Sequence, residues 1–356
     1  MSQIKGQFGF FDLEERMDKI EQLADFLPRL DRLVDWEIFR YQLAKVRDKE
    51  RLSNAGRPAY DVVLMFKMLV LQSLYNLSDE QTELQVRDRL SFMKFLGLTF
   101  ADTVPDATTL RLFREDLKAL GLERPLFERF NKELEKQGFA AKGGDMPSRR
   151  PELPLRCSNS LPLVAFFSNG NKPFAENERS NAERTIRGRS RLPGRQVPKK
   201  NDVSYFGYKD HVLADTGHKF IRDYDVTDAS VHDSVPFLDL VPKKPMKEKQ
   251  PVYADSAYVG EEIEEELIKR KFKPKICEKG YRNKPLTEKQ KESNRKKSRV
   301  RCRVEHIFGE MKMRMGNEVL RTIGMARAKF MIGMRNLVYN MSRFVSLKRP
   351  KPAKSG

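Results

Sequence analysis

Arg301, Glu305 and Lys312 lie in the run KSRVRCRVEHIFGEMKMRMG, separated by steps of four and seven residues. On a helix, at about 100° per residue, these steps bring all three within about 60° of one another and set one carboxylate between two cations. Val300, Val304, Ile307 and Met311 make a separate apolar stripe roughly 100° away, so such a helix can pack on a core and present Glu305 at its edge. Two readings fit this pattern. One is a solvated amphipathic helix with i,i+4 ion pairs; the other is a metal-binding carboxylate beside a polyanion.

Asp255 is the second carboxylate of interest. It follows the strand-like run Pro251 to Ala254, and open sheets place ligand sites at strand ends. A turn Asp capping the next backbone N–H fits the same position. Together, Asp255 and Glu305 suit phosphoryl transfer by two divalent ions about 4 Å apart. His211, His218, His232 and His306 do not fall in metal-ligand pairs, so a metal would be held mainly by carboxylates, as Mg²⁺ or Mn²⁺ is. Arg301 and Lys312 would then pair with phosphates, while Lys296, Lys297, Arg299 and Arg303 fit either a phosphate-backbone contact or a solvated basic helix.

The elements that must position these residues change character along the chain. From Asp12 to about Gln137 the pattern is helical. Val63 to Val70 is apolar nearly all round and predicts a buried central helix, Ser78 with Gln81 has capping-box spacing, and Asp106 is a good N-cap. Thr108, Thr109, Arg111 and Arg114 on the helix that Asp106 starts suit a helix-turn-helix reader, and a plain bundle fits as well. Trp36 belongs to the core of this region. From about Asn201, VSYFGYKDHVLAD and KFIRDYDVTDA read as strands joined at Thr216-Gly217, SVHDSVPFLDLV reads as a helix, and further strands follow at PVYA and FKPKICEK around the helix GEEIEEELIKRK. Strands interleaved with helices give an α/β domain with a mixed sheet. The chain thus divides into an all-α region over 1–140, an aberrant low-order segment over 141–200, the α/β domain over 201–348 and a basic tail over 349–356.

In the 356 residues, 69 Lys and Arg against 50 Asp and Glu give a formal charge of +19. A polyanionic partner is the economical explanation, since binding it releases condensed counterions. The most apolar stretch, Val62 to Val70, contains Lys67 and is too short to span a bilayer, and no apolar leader precedes a cleavage site, so a cytosolic chain without membrane contact is expected. Cys157, Cys277 and Cys302 have neither a disulfide nor a zinc pattern.

YFGYKDHV, VTDASVHDS, VYADSAY, NKPLTEKQKESNRKKSRVRCRVEHIFG and RTIGMARAKFMIGMRNLVYN resemble the catalytic domain of bacterial insertion-sequence DDE transposases, in the group whose prototype is insertion sequence five. GRPAYDVVLMFKMLVLQSLYNLSDEQTELQVRDRLSFMKFLGL is similar to that group's helical N-terminal domain. The resemblance implies a ribonuclease H-like fold for the second half, with an Asp on the first strand, an Asp after the fourth and a Glu on a late helix. Asp255 matches the second acid and Glu305 the third. Arg301 and Lys312 match the flanking bases of the R-x3-E-x6-K signature, although the Tyr that some relatives carry three residues before the Arg is Ser298 here. The implied activity is cutting at element ends and joining the 3′-hydroxyl to target DNA. The implied partners are terminal inverted repeats, target DNA and further copies of the chain, in the bacterial cytosol on the nucleoid.

The first Asp departs from that pattern. Aligning Lys142-Gly143-Gly144 on the family's first strand puts Ser148 where the acid belongs, with Asp145 three residues early. Pro147, Pro151 and Pro154 each lack a ladder donor. The first strand and its acid are therefore expected to be disrupted, and we infer that about 145–198 is read out of frame between two compensating indels. Loss of one acid implies an impaired transposase; the alternative is a catalytically inactive, DNA-binding remnant.

Overall fold

The computed structural model describes residues 19, 26–48, 58–139, 163–168, 199–200, 203–204, 208–228, 231–245, 248–281, 285–316, 320, 322 and 324–348. Contacts divide the chain into two compact units, Met1–Phe130 with Leu337–Gly356, and Asn131–Asn336. The proposed tail over 349–356 lies outside the described residues.

The first unit is helical. α1 (Phe26–Leu33) and α2 (Arg40–Ala44) precede α3 (Val62–Tyr75), whose first turn is capped by Asp61 accepting from the N–H groups of Val63 and Leu64 at 3.0 and 3.2 Å. Its C-cap Asn76 is left-handed at φ 52°. Met65, Phe66, Met68 and Val70 are fully buried, so α3 is the central helix its all-round apolar pattern predicts. Its one cation, Lys67, gives its ammonium to Asp31 at 2.6 Å and to the Phe95 carbonyl at 3.1 Å, above the Trp36 ring. Trp36 packs edge-on against Phe66 and Phe95.

Four more helices follow: α4 (Asp79–Asp88), α5 (Leu90–Leu96), α6 (Ala107–Ala119) and α7 (Glu123–Leu134), which runs into the second unit. Ser78 and Gln81 form the expected capping box and Asp106 caps Thr109. On α6, Leu110, Phe113 and Leu117 face the core, and Arg111 is exposed. Arg114 is not on the open face that the sequence suggests. Its guanidinium pairs with both oxygens of Asp79 and with Gln72, because the two helices bring opposite charges together where little water reaches.

The second unit holds a five-stranded mixed sheet of order β5-β4-β1-β6-β7. Its strands are β1 (Leu163–Ser168), β4 (Tyr208–Asp215), β5 (Ile221–Asp228), β6 (Pro251–Ala254) and β7 (Lys273–Ile276); β2 (Lys199–Lys200) and β3 (Val203–Ser204) pair separately. β4 and β5 form the predicted hairpin. β1 pairs antiparallel with β4 and parallel with β6, which is parallel to β7. A strand, β1, stands at the centre of the sheet, and LVAFFS contains no carboxylate; the stretch around Lys142 to Pro154 where the first strand is expected to be disrupted lies outside the described residues. SVHDSVPFLDLV is less helical than its sequence suggests: α8 is only Phe237–Leu240, since Pro236 disfavours helical backbone at the residue before it.

α9 (Glu261–Lys269) connects the parallel strands β6 and β7. Leu213, Phe237, Val252, Tyr258, Leu267 and Phe272 belong to one core cluster with it. The long α10 (Glu288–Met315) begins in a Thr287/Gln290 capping box and packs on β1 and β6. α11 (Met325–Leu347) follows, with Leu337 onward grouped with the helical unit, where Phe344 meets Phe130 edge-on. Among the described residues no helix is long and apolar enough to cross a membrane.

Two buried charges make this fold testable. Arg114→Ala should cost about 3 kcal/mol in a urea titration, because Asp79 is left as an unpaired, poorly hydrated carboxylate, while Arg111→Ala should cost less than about 0.5 kcal/mol. In β4, Asp210 is 9% exposed and accepts a hydrogen bond from the Asn336 amide at 3.1 Å. Burial pushes its carboxyl up to about 7, against the hydrogen bond from Asn336 and the attraction of Arg335, and Asp225 adds repulsion. An unfolded Asp titrates near 3.9, so between about pH 4 and 7 the folded chain holds a proton that the unfolded chain has lost. Stability then falls as pH rises through that window. Asp210→Asn should abolish the loss, gaining up to about 4 kcal/mol over the native chain near pH 8 and nothing below about pH 4.

Candidate active site

Asp255 leaves the C-terminal end of β6, where Val252 and Ala254 turn into the core and fix the strand's rotation. Its Oδ1 accepts from the Ser256 N–H at 2.6 Å, so it does cap the following turn. The turn carries Tyr258 back into the core against Phe237, with ring centroids 5.1 Å apart. Tyr258 is 2% exposed, and its burial raises the phenol's pKa; this side chain is committed to packing, and Tyr253 is the more open of the pair.

Glu305 comes from α10, whose Val304, Ile307 and Met311 are buried as the stripe requires. Arg301, one turn earlier, holds Asp255 Oδ2 through Nη1 at 3.2 Å and Glu305 Oε1 through Nη2 at 3.2 Å. The guanidinium side chain is 18% exposed, against 39% for Asp255 and 48% for Glu305. Two carboxylates far apart in sequence thus converge on one cation. Lys312 is exposed two turns further along the same helix.

The remaining basic residues of α10 separate into two sets. Lys296 and Arg299 are exposed, Lys296 in a solvent-facing pair with Glu292. Lys297 instead donates to the Ile276 carbonyl at 2.8 Å at the end of β7, and Arg303 donates to the Thr216 carbonyl in the β4–β5 turn. That turn is itself built around Asp215, whose buried carboxylate accepts from the His218 and Lys219 N–H groups and pairs with Arg222. Lys219, left-handed at φ 61°, meets His306 of α10 at 3.3 Å. Asn294 and Glu278 exchange two hydrogen bonds of 2.9 Å, tying α10 to the segment after β7. Lys297, Arg303 and Asn294 donate to backbone carbonyls, so residue types and spacing carried no signal for those contacts.

A divalent cation fits the Asp255/Glu305 pair in one respect. Both donors are carboxylate oxygens, the guanidinium already stands there as a cation between them, and hard ions such as Mg²⁺ or Mn²⁺ complete their coordination with water. Among the described residues no group of three His, Cys, Asp or Glu side chains comes together.

Residues 14–116 match a family model described as a transposase domain (DUF772), and residues 184–341 match one described as a transposase DDE domain. The second match contains Asp255, Arg301, Glu305 and Lys312; β1 lies outside both. Among solved structures, the chain is similar to a piggyBac transposase synaptic complex with hairpin DNA determined by cryo-EM. The TM-score is 0.42 and the identity 12%, over 92% of this chain and 76% of that one. A likeness of that size has no bearing on the fold, which rests on the strand order itself. With one match on the helical N-terminal half and the other spanning the Asp255 strand and the Glu305 helix, the chain belongs to the DDE transposases of insertion sequences.

Proposed function

We propose that the chain cleaves DNA at the ends of its element and joins them to a target, with Asp255 and Glu305 as the acidic pair of a ribonuclease H-like unit. The convergence of both carboxylates on Arg301 carries this reading. The sheet order supports it, since a central strand flanked by an antiparallel hairpin on one side and two parallel strands on the other is the arrangement expected of that fold. A bound Mg²⁺ or Mn²⁺ would supply Lewis-acid charge at the phosphoryl group and a more acidic attacking water. Asp255 and Glu305 hold that charge in place at the edge of the sheet. Arg301 and Lys312 orient phosphates from the same helix, and Lys296 and Arg299 follow the backbone beyond them. Lys297 and Arg303, by contrast, fix the pose of α10. The helical region over 1–140 contributes recognition of the terminal repeats, with Thr108 and Arg111 on the open side of α6. Bringing two ends together calls for more than one copy of the chain on DNA, which this reading places on the nucleoid in the bacterial cytosol.

A second reading, an end-binding remnant that no longer cuts, is favoured by one observation: β1 occupies the first-strand position without a carboxylate. We attribute this to translation of the segment around β1 in the wrong frame. An out-of-frame segment would leave its residues unmatched, and 145–183 fall outside both family matches. The DDE-domain match begins at 184, which argues that the frame is restored before 198. The gene's nucleotide sequence between codons 140 and 202 tests it, because an alternative frame there should encode an Asp-bearing strand.

Two measurements on the protein follow. On duplexes ending in the element's own repeats, Mg²⁺ should support strand-specific nicking that Glu305→Ala reduces by at least about a hundredfold; salt-sensitive binding without nicking would leave the remnant. In the same binding assay, Lys296→Ala with Arg299→Ala should flatten the dependence of log affinity on log salt by about 2, at roughly 0.9 for each phosphate no longer neutralised. Lys297→Ala and Arg303→Ala should leave that slope unchanged and lower the melting temperature.

A further inference from the structure

Arg301 occupies the position that a metal ion must take. Its two terminal nitrogens engage one oxygen of Asp255 and one of Glu305 at 3.2 Å each, and Asp255 has already committed its other oxygen to the Ser256 N–H. A divalent ion held by both carboxylates would set two positive charges beside a guanidinium whose own charge is permanent, so the two cations compete for the same pair of carboxylates. Arg301 lies on the same helix as Glu305 and Lys312, so a released guanidinium has a long side chain with which to reach a phosphate that approaches this face.

We propose that Arg301 is a resident counter-ion of the Asp255/Glu305 pair, displaced when a divalent cation binds and then taken up by a DNA phosphate. It rests on the reading of these two carboxylates as metal ligands. In the absence of both ligands the guanidinium keeps the two carboxylates from repelling each other. Once the metal is bound, its charge weakens the guanidinium's hold on these two carboxylates and favours pairing with phosphate; once phosphate draws it away, the carboxylates take the metal more readily. Metal and DNA therefore favour each other's binding through one side chain, and by linkage the effect is reciprocal.

Mn²⁺ titrations of the full chain, followed by electron paramagnetic resonance of the free ion, test this with and without a short random-sequence duplex. Without DNA, Arg301→Gln should bind Mn²⁺ about tenfold more tightly than the native chain, the scale of a typical coupling between sites. It should also lose the native chain's gain in DNA affinity on adding Mn²⁺ at constant ionic strength. Arg301→Lys, which keeps the charge but not the two-pronged contact, should lie between the two, and its tighter Mn²⁺ binding than the native chain's decides the matter if the Gln variant does not fold. Unchanged or weaker Mn²⁺ binding in both variants would overturn the displacement. Glu305→Gln provides the separate control: if Mn²⁺ binding is indifferent to it, the metal-ligand reading itself is what fails.

Discussion

Burial of one apolar stripe governs the geometry of this site. Val304, Ile307, Met311 and Met315 are all buried, so α10 has one rotational setting about its axis against the sheet. Given that setting, Arg301 and Glu305 fall at the margin of the buried face. Asp255 is placed by an equally simple constraint: β6 is short, its alternate residues Val252 and Ala254 face inward, and the chain emerges at the end of a strand paired in parallel on both sides. Neither carboxylate needs a special loop to reach the other. The meeting point follows from packing a helix on two adjacent strands.

The β4–β5 turn adds a second restraint to the same helix. Asp215 has no exposed side-chain surface and accepts bonds from two backbone N–H groups and Arg222, so the turn is rigid enough to serve as an abutment. Arg303 and His306, three residues apart on one face of α10, reach its Thr216 carbonyl and Lys219 ammonium. A basic helix is thus not uniformly a surface for polyanions. Arg301, Lys297 and Arg303 serve the fold or the site, whereas Lys296 and Arg299 face solvent.

What was legible in the sequence was local. The capping box at Ser78 and Gln81, the cap at Asp106, the turn at Thr216-Gly217 and the buried helix around Phe66 depend on neighbours within a few residues, and each stands where its pattern put it. What was not legible depended on partners far along the chain. Arg114 looked like an exposed cation because Asp79 is 35 residues away. LVAFFS has no alternation and lies amid Pro, Ser and Asn, so nothing within it announces a central strand; its conformation is defined by pairing with β4 and β6. Arg303 and Lys297 bond to backbone carbonyls, which every residue possesses and no pattern marks. Asp255 and Glu305 were found by strand-end position and helical spacing, but the guanidinium shared between them is an arrangement that only the fold creates.

That shared guanidinium gives the missing first acid a sharper meaning. With three carboxylates around a site, one arginine leaves a strong negative surplus that attracts divalent ions regardless of where the arginine sits. With two, Arg301 offsets half the charge and engages an oxygen of each carboxylate. Under the proposed reading, an acid missing from β1 acts twice: it removes a ligand, and it strengthens the hold of the remaining carboxylates on their own arginine. A chain in this condition depends more than a complete one would on DNA to draw Arg301 away. Its divalent-ion affinity in isolation is therefore a poor guide to what the same residues do when a phosphate backbone lies across α10.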